Sequence, residues 1–485
     1  MELRWKKLLP GLIERHRVID LRNFPWFRVP AIVRIAIYAE GSIRFNGGSF
    51  DGLQRVIAAL QSDPWPWVKF KVTLIHRNSD PSADMDNKTL DEIDLEKFDE
   101  LWLFGISSRD LLSADELNVV HDFMDNGGGV LHTGDHASLG KGIAGSIKRA
   151  GTMRMYPAPA ARTGEWNNTL RSGTDSNYNF TDQSDDEPQR VRLKYYPTWR
   201  WSPTLCTRKY PHPILCGKNG PIRVFPDHQH EGEAIAPTTY PNSEWPTKSG
   251  YQPKVEVVAW GRIEAPDADV GREVGLVSVY NGHSADVGRI VADSTWHHWF
   301  DINLDGFAAT PVGMTHLSTI EQYFMNVAAW LAPKSKQSSM RNGIVVFASW
   351  RDPLVMLDPK ILTPWFFGGL AKDAIGQFAP QCLIRQWILD ILPPKMFADF
   401  KLIHPDPGPK QELRIPLPLE DLVLASAIKP VLERNLKASC PEDVVDLDFV
   451  DECFSKAVPE ALEVISKQAD LCRQLKKVAD SYLKK

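Results

Sequence analysis

The sequence predicts an α/β fold on a mostly parallel sheet, and three observations carry that expectation. Short apolar runs alternate with amphipathic helical stretches from Ile32 onward, and strands separated by helices pair in parallel because a parallel neighbour is reached only through a crossover. One of these units is punctuated at both ends by helix-capping residues. The same rhythm resumes after a long irregular stretch, which therefore reads as an insertion.

The first strand is "IVRIAIY", apolar enough for burial on both faces. A glycine-rich turn and a helix around "FDGLQRVIAAL" follow, then the strands "FKVTLIH" and "LWLFG". In the next unit Ser113 and Glu116 form a capping box, each side chain serving a backbone N–H that the first helical turn leaves unpaired. Leu117, Val120 and Met124 share one face, and Asn126 with Gly127, Gly128 and Gly129 stops the helix. "VLH" then re-enters the sheet and delivers "TGDH" at its carboxyl end, the edge where open parallel sheets bind ligands.

Between about residues 150 and 253 the text is rich in Pro, Asn, Asp, Ser and aromatic residues, and reads as a long insertion of loops and short strands. The strands "KVEVVAW", "GLVSVY" and "GRIVADS" and a helix at "THLSTIEQYFMNVAAWLAP" restore order. A linker, "KSKQSSMRNG", then leads into helix-rich text. The expected organisation is an N-terminal extension (1–29), an α/β domain (30–337) and a helical C-terminal domain (338–485).

With a net charge of −5 and well-mixed signs, nothing suggests a nucleic-acid partner. No apolar run of transmembrane length occurs, so no membrane partner is expected. The start, "MELRWKKLLPGLIERHR", lacks the apolar core of a secretory signal. Six dispersed cysteines without CxxC fit a reduced, cytoplasmic protein.

Three windows concentrate ionisable side chains: "HTGDH" (His132, Asp135, His136), "DHQHEGE" (Asp227, His228, His230, Glu231, Glu233) and "DSTWHH" (Asp293, His297, His298). Six of the thirteen histidines fall here, too many for scattered surface residues. The first and third follow strands and should meet at one sheet edge, with the second folding over from the insertion. His132, Asp135, Asp293 and His297 are the candidate catalytic residues, since histidine titrates near neutrality. His136, His228, His230, Asp227 and Glu231 are the candidate ligands of a divalent metal; nitrogen and oxygen donors suit zinc, manganese or iron. The competing reading makes each histidine a hydrogen-bonded core residue and Asp135 a cap for the helix that follows.

Two weaker signals accompany them. "AEGSIRFNGGSFDGL" precedes a helix whose amides could receive an anion, yet it lacks GxGxxG and the Walker pattern, and so reads as a turn at the pocket rim. Trp166, Trp199, Trp201, Trp245, Trp296 and Trp299 flank the clusters, either to stack on a ligand ring or to form a local core.

"FMDNGGGVLHTGDH", "VYNGHSADVGRIVADSTWHHWF" and "EQYFMNVAAWLAP" resemble the class I glutamine amidotransferase-like superfamily in its ThuA-like (trehalose utilisation) branch, over about residues 30–333 without the insertion. The resemblance implies a flavodoxin-like sheet with helices on both faces, a pocket beside "HTGDH" that includes His132, and a carbohydrate-like substrate. The amidotransferases carry a cysteine nucleophile where Thr133 and Gly134 stand here, and no cysteine occurs before Cys206. An unactivated threonine does not replace a thiolate, which argues against glutaminase activity. The leading expectation is a hydrolase or lyase acting on a small polar substrate. The rival is a non-catalytic ligand-binding or scaffold protein whose helical tail binds a partner or a second copy.

Overall fold

The computed structural model describes residues 31–46, 52–62, 65–109, 111–135, 138–156, 188–199, 207–218, 220–226, 233–262, 271–294, 296–309, 311–349, 354, 362–394, 396, 419–437 and 447–483. The expected N-terminal extension lies outside them. The first half runs β1 (Ala31–Ala39), α1 (Gln54–Gln61), β2 (Val68–His76), β3 (Glu100–Phe104), α2 (Ala114–Asp125), β4 (Gly129–His132) and the single turn α3 (Lys141–Ala144). The insertion contributes β5 (Pro188–Arg190), β6 (Arg192–Leu193), β7 (Tyr195–Trp199), β8 (Thr207–Pro211), β9 (Cys216–Gly217), β10 (Gly220–Pro221) and β11 (Val224–Pro226). Then follow β12 (Glu256–Arg262), β13 (Glu273–Tyr280), β14 (Ile290–Asp293), α4 (Asp301–Ala309) and α5 (Pro311–Leu331). The C-terminal helices are α6 (Lys334–Ser349), α7 (Pro364–Ile375), α8 (Gln381–Asp390), α9 (Leu419–Lys437) and α10 (Leu447–Leu483).

Eight strands form one sheet in the order β2-β1-β3-β4-β14-β13-β12-β6. The first five run parallel and have the flavodoxin-like order; the last three are antiparallel. Alternate residues of β1 explain why its sequence is apolar throughout. Val33, Ile35, Ile37 and Ala39 face the core under α1, α5 and the C-terminal helices. Ala36 and Tyr38 face the opposite core, under α2 and Ile143. The Ser113–Glu116 capping box forms as the sequence predicts, and Gly127, at φ +98°, supplies the left-handed residue that ends α2.

The insertion is not merely an appendage, because its strand β6 completes the sheet against β12. The expected linker is also corrected: "KSKQSSMRNG" opens α6, and the boundary placed near residue 338 falls inside that helix. Apolar residues from the sheet through α10 belong to one continuous core.

The cysteines correct a second expectation. Cys216 of β9 and Cys382 of α8 form a disulfide across 166 positions, tying the insertion to the helical region. Cys453 and Cys472 are free thiols, whereas Cys206 and Cys440 lie outside the described residues. Closing so long a loop removes much chain entropy from the unfolded state. The double substitution Cys216→Ala/Cys382→Ala is therefore expected to cost about 2–4 kcal/mol in urea denaturation, and an unchanged midpoint would rule the tether out. Among the described residues no helix is long and apolar enough to cross a membrane.

Candidate functional site at the carboxyl edge of the sheet

Strands β4 and β14 are parallel neighbours, with His132 paired to Ala292, so their carboxyl ends release "HTGD" and "STWHH" side by side. After β14 the chain makes a tight turn in which the N–H groups of Trp299 and Phe300 both donate to the Trp296 carbonyl, at 2.8 and 3.2 Å. The turn sends consecutive histidines to different carboxylates. His297 Nε2 lies 2.9 Å from Asp135 Oδ2, and His298 Nε2 lies 2.7 Å from Asp293 Oδ2. All four side chains are fully buried. The first and third windows thus converge as expected.

The two pairs have different surroundings. Asp293 Oδ2 also accepts from Trp299 Nε1 at 3.1 Å and Tyr323 OH at 3.0 Å, and the His298 ring packs against Phe225, Trp299 and Tyr323. Burial, and then the Asp293 charge, push the Tyr323 hydroxyl well above its ordinary range, keeping it a donor. This cluster is a hydrogen-bonded knot inside the aromatic core, and it is where Asp293, an expected catalytic residue, resides.

Asp135 belongs to a more polar corner. It does not cap the next helix, whose preceding residue is Gly140 at φ +86°; its carboxylate turns instead to His297. Arg154, at the start of the insertion, donates to the Asp135 carbonyl at 2.7 Å and to the Ser294 carbonyl at 2.7 and 3.1 Å. One buried guanidinium therefore clamps both loops. It lies so close to Gly134 that a Cβ there would fall 2.7 Å from Arg154 Cζ, which explains the glycine in "TGD". The same guanidinium covers the Tyr156 ring at 4.5 Å, and Tyr156 OH lies 3.4 Å from His132 Nδ1. Burial, reinforced by the Arg154 charge, lowers His132 to about 3. This imidazole is neutral at physiological pH, suited to hydrogen bonding rather than to carrying a proton.

Arg154 and Tyr156 were not anticipated, since they sit where the sequence loses its rhythm. Glu40 was missed despite a signal, an acid directly after an apolar strand. It accepts from Ser107 N at 2.7 Å at the β1/β3 switch point, where flavodoxin-like sheets bind ligands, and burial raises its pKa. A Cβ on Gly105 would come within 2.8 Å of Glu40 Oε1, so this corner too is closely packed. The amides that open α1 are met by the chain itself rather than left for an anion: Asp301 accepts from Gln54 N at 2.9 Å and Arg55 N at 2.8 Å.

His136, Asp227, His228, His230 and Glu231, the five expected metal ligands, lie outside the described residues. Among the described residues no three His, Cys, Asp or Glu side chains are grouped to hold a metal. Glu233, at the end of the second window, pairs with Arg272. Trp245, Trp296 and Trp299 are core residues, stacked on or edged against Tyr280, Phe300 and Phe324 respectively. Trp166 and Trp201 lie outside the described residues, and Trp199 ends β7.

A cavity of about 770 Å³ opens at the opposite rim, beside the amino end of β2, between Trp65, Tyr210, Lys218, Phe378 and the disulfide. Its lining also includes Gln322, next in sequence to the Tyr323 that donates to Asp293. Among the described residues its walls carry no histidine or carboxylate.

No family model and no curated protein matches the sequence. In three dimensions the chain is similar to a structure described as "mmIFT52 N-terminal domain", at 12% identity and a TM-score of 0.32, over 60% of this chain and 97% of that one. It is also similar to a ThuA-like protein from Parabacteroides merdae ATCC 43184, at 11% identity and a TM-score of 0.26, over 62% and 90% of the two chains. A ThuA-like protein from Bacteroides uniformis ATCC 8492 is similar at 12% identity and a TM-score of 0.26, over 64% and 95%.

Proposed function

We propose that the chain is a hydrolase or lyase acting on a small polar, carbohydrate-like substrate, with His297 as the proton acceptor and Asp135 as its positioning partner. The observation that carries this reading is the fully buried His297–Asp135 pair, 2.9 Å apart, at the carboxyl edge of the parallel strands. Withdrawing an imidazole and a carboxylate from water costs several kcal/mol, and apolar side chains would close the same space without that cost. The carboxylate fixes the tautomer in which Nε2 carries the proton, so Nδ1 is the basic nitrogen, and the imidazolium formed on proton uptake is stabilised. Arg154 holds both loops in register. His136, Asp227, His228, His230 and Glu231 have the donor chemistry for a zinc, manganese or iron ion, which would acidify a bound water or polarise a carbonyl.

The test is turnover of a panel of p-nitrophenyl glycosides and esters. His297→Gln and Asp135→Asn are each expected to lower kcat roughly 10²–10³-fold while the melting curve stays cooperative, within the range of lost general-base catalysis. Undiminished rates in both variants would remove the proposal.

A second reading, a ligand-binding or scaffold protein without turnover, draws on the complete burial of the same histidines. A wild type that hydrolyses no member of the panel, yet is stabilised against heat by free sugars, would establish it in place of the first.

A further inference from the structure

The cavity beside the amino end of β2 differs from an ordinary ligand pocket in one respect: part of its wall is the Cys216–Cys382 disulfide. Its volume of about 770 Å³ falls in the range of roughly 300–1,000 Å³ in which small molecules are held. A molecule that enters therefore meets a bond that a thiolate can split.

Charge restricts which thiol is drawn in. Lys218 lines the cavity, exposed and without an ion pair among the described residues. The other polar side chains of the lining, Ser318, Gln322, Gln377, Gln381 and Tyr210, are uncharged. Glu321 and Asp373 lie outside it, and Asp373 accepts from Gln381 Nε2 at 3.3 Å. A wall with one cation and no carboxylate attracts an anionic guest and repels a cationic one.

The two sulfurs are not equivalent. Cys382 is the second residue of the ten-residue helix α8, and the positive end of a helix lowers the pKa of a thiol placed there. Its thiolate is the better leaving group. Cys216, on the short strand β9, is the more accessible, 8% exposed against 2%. Access and leaving ability thus agree on attack at Cys216.

Other bonds hold both partners once the disulfide is cut. Asn326 Nδ2 donates to the Cys216 carbonyl at 3.0 Å, and Lys218 N donates to Gln322 Oε1 at 3.0 Å, so the β9–β10 hairpin stays seated on α5. Tyr210 OH donates to Gln381 Oε1 at 3.3 Å, which keeps the start of α8 against the insertion. The separated sulfurs remain neighbours.

We propose that this cavity is a thiol-exchange site, which admits a small anionic thiol and opens the Cys216–Cys382 bond reversibly. The entering thiolate bonds to Cys216 Sγ as the S–S bond breaks; the electron pair leaves on Cys382 Sγ, which takes a proton from water. The return of the Cys382 thiolate onto Cys216 expels the guest and restores the disulfide. If a second thiol attacks the adduct instead, two thiols become one disulfide, and two electrons and two protons pass to the cysteine pair.

For the test, the full-length protein has its free thiols blocked with iodoacetamide. It then meets 2-mercaptoethanesulfonate, 2-mercaptoethanol or cysteamine at equal thiolate concentration, without denaturant. Freed cysteines are captured with N-ethylmaleimide and located by peptide mass. The anionic thiol should react fastest and the cationic one slowest. Lys218→Glu should lower the anionic-to-cationic rate ratio roughly tenfold, with Lys218→Gln between the two and circular dichroism unchanged. At early times Cys216 should carry the thiol and Cys382 the maleimide. Unquenched adduct, once free thiol is removed, should revert to the disulfide without added oxidant. A bond that opens only in denaturant, or rates indifferent to both thiol charge and the Lys218 changes, overturns the proposal. An adduct found on Cys382 overturns the direction of attack, and one that does not revert overturns reversibility.

Discussion

Arg289→Leu is expected to destabilise the fold by about 3–5 kcal/mol, because it strands a set of buried polar groups at once. The guanidinium has no exposed surface and grips Asp390, the last residue of α8, with contacts of 2.8 and 2.6 Å. It also donates to Asn281 Oδ1 at 2.9 Å and to the Trp330 carbonyl at 2.8 Å, with its face over the Trp330 ring. One side chain, entering β14, therefore holds the end of α5 and the end of α8. Lysine would restore the charge but not the fork that engages both carboxylate oxygens, so Arg289→Lys should recover only part of the loss. Arg289→Leu/Asp390→Leu should cost less than the sum of the single changes, since no buried charge is left alone. Urea denaturation measures all four; a single-variant loss under 1 kcal/mol would show that the pair does not anchor the helices.

Mild acid is the second large effect. His132 is lowered to about 3, and His212 and His283 are held well below their ordinary value, in each case first by burial and then by a neighbouring arginine. Arg154 acts on the first; Arg289 acts on both others, with Lys194 beside His212 and Lys334 beside His283. The folded state keeps these rings neutral, while the unfolded chain takes up protons near pH 6.5. Their contribution is therefore intact above about pH 6.5 and declines as the pH falls, by up to about 1.4 kcal/mol per pH unit for each ring and about 4 for the three. Urea unfolding at a series of pH values between neutrality and pH 5 should show that slope, and His132→Gln should reduce it by about a third. A flat profile would mean that the rings protonate without disturbing the fold.

The parallel core was legible because its strands are buried on both faces and its helices carry their own stops. Ser113, Glu116 and Gly127 act within a few residues of themselves, and the structure uses them as the sequence suggests. The polar run opening α6 misled because its side chains are spent inside the protein. Gln337 Nε2 donates to the carbonyls of Ala329, Trp330 and Ala332 at the end of α5, while Arg341 and Asn342 reach Asp451 of α10. Composition alone does not separate such buried polar groups from a solvated linker. The disulfide was invisible because its cysteines are joined only by tertiary structure.

At the candidate site, the meeting of two loops followed from strand order, whereas the division of labour between neighbouring histidines did not. That depends on a turn around Trp296 which directs His297 to Asp135 and His298 to Asp293. Glu40 could have been found by asking which charged residue first leaves an apolar strand. Arg154 and Tyr156 carried no such mark.

Asp301 decides what the start of α1 can accept. It seals the two leading amides of α1 with a carboxylate, at the corner where related sheet architectures cradle a nucleotide's diphosphate. An incoming phosphate ester would have to evict a carboxylate already bonded to both amides and then meet its repulsion, so the start of α1 is a filled seat rather than an open one.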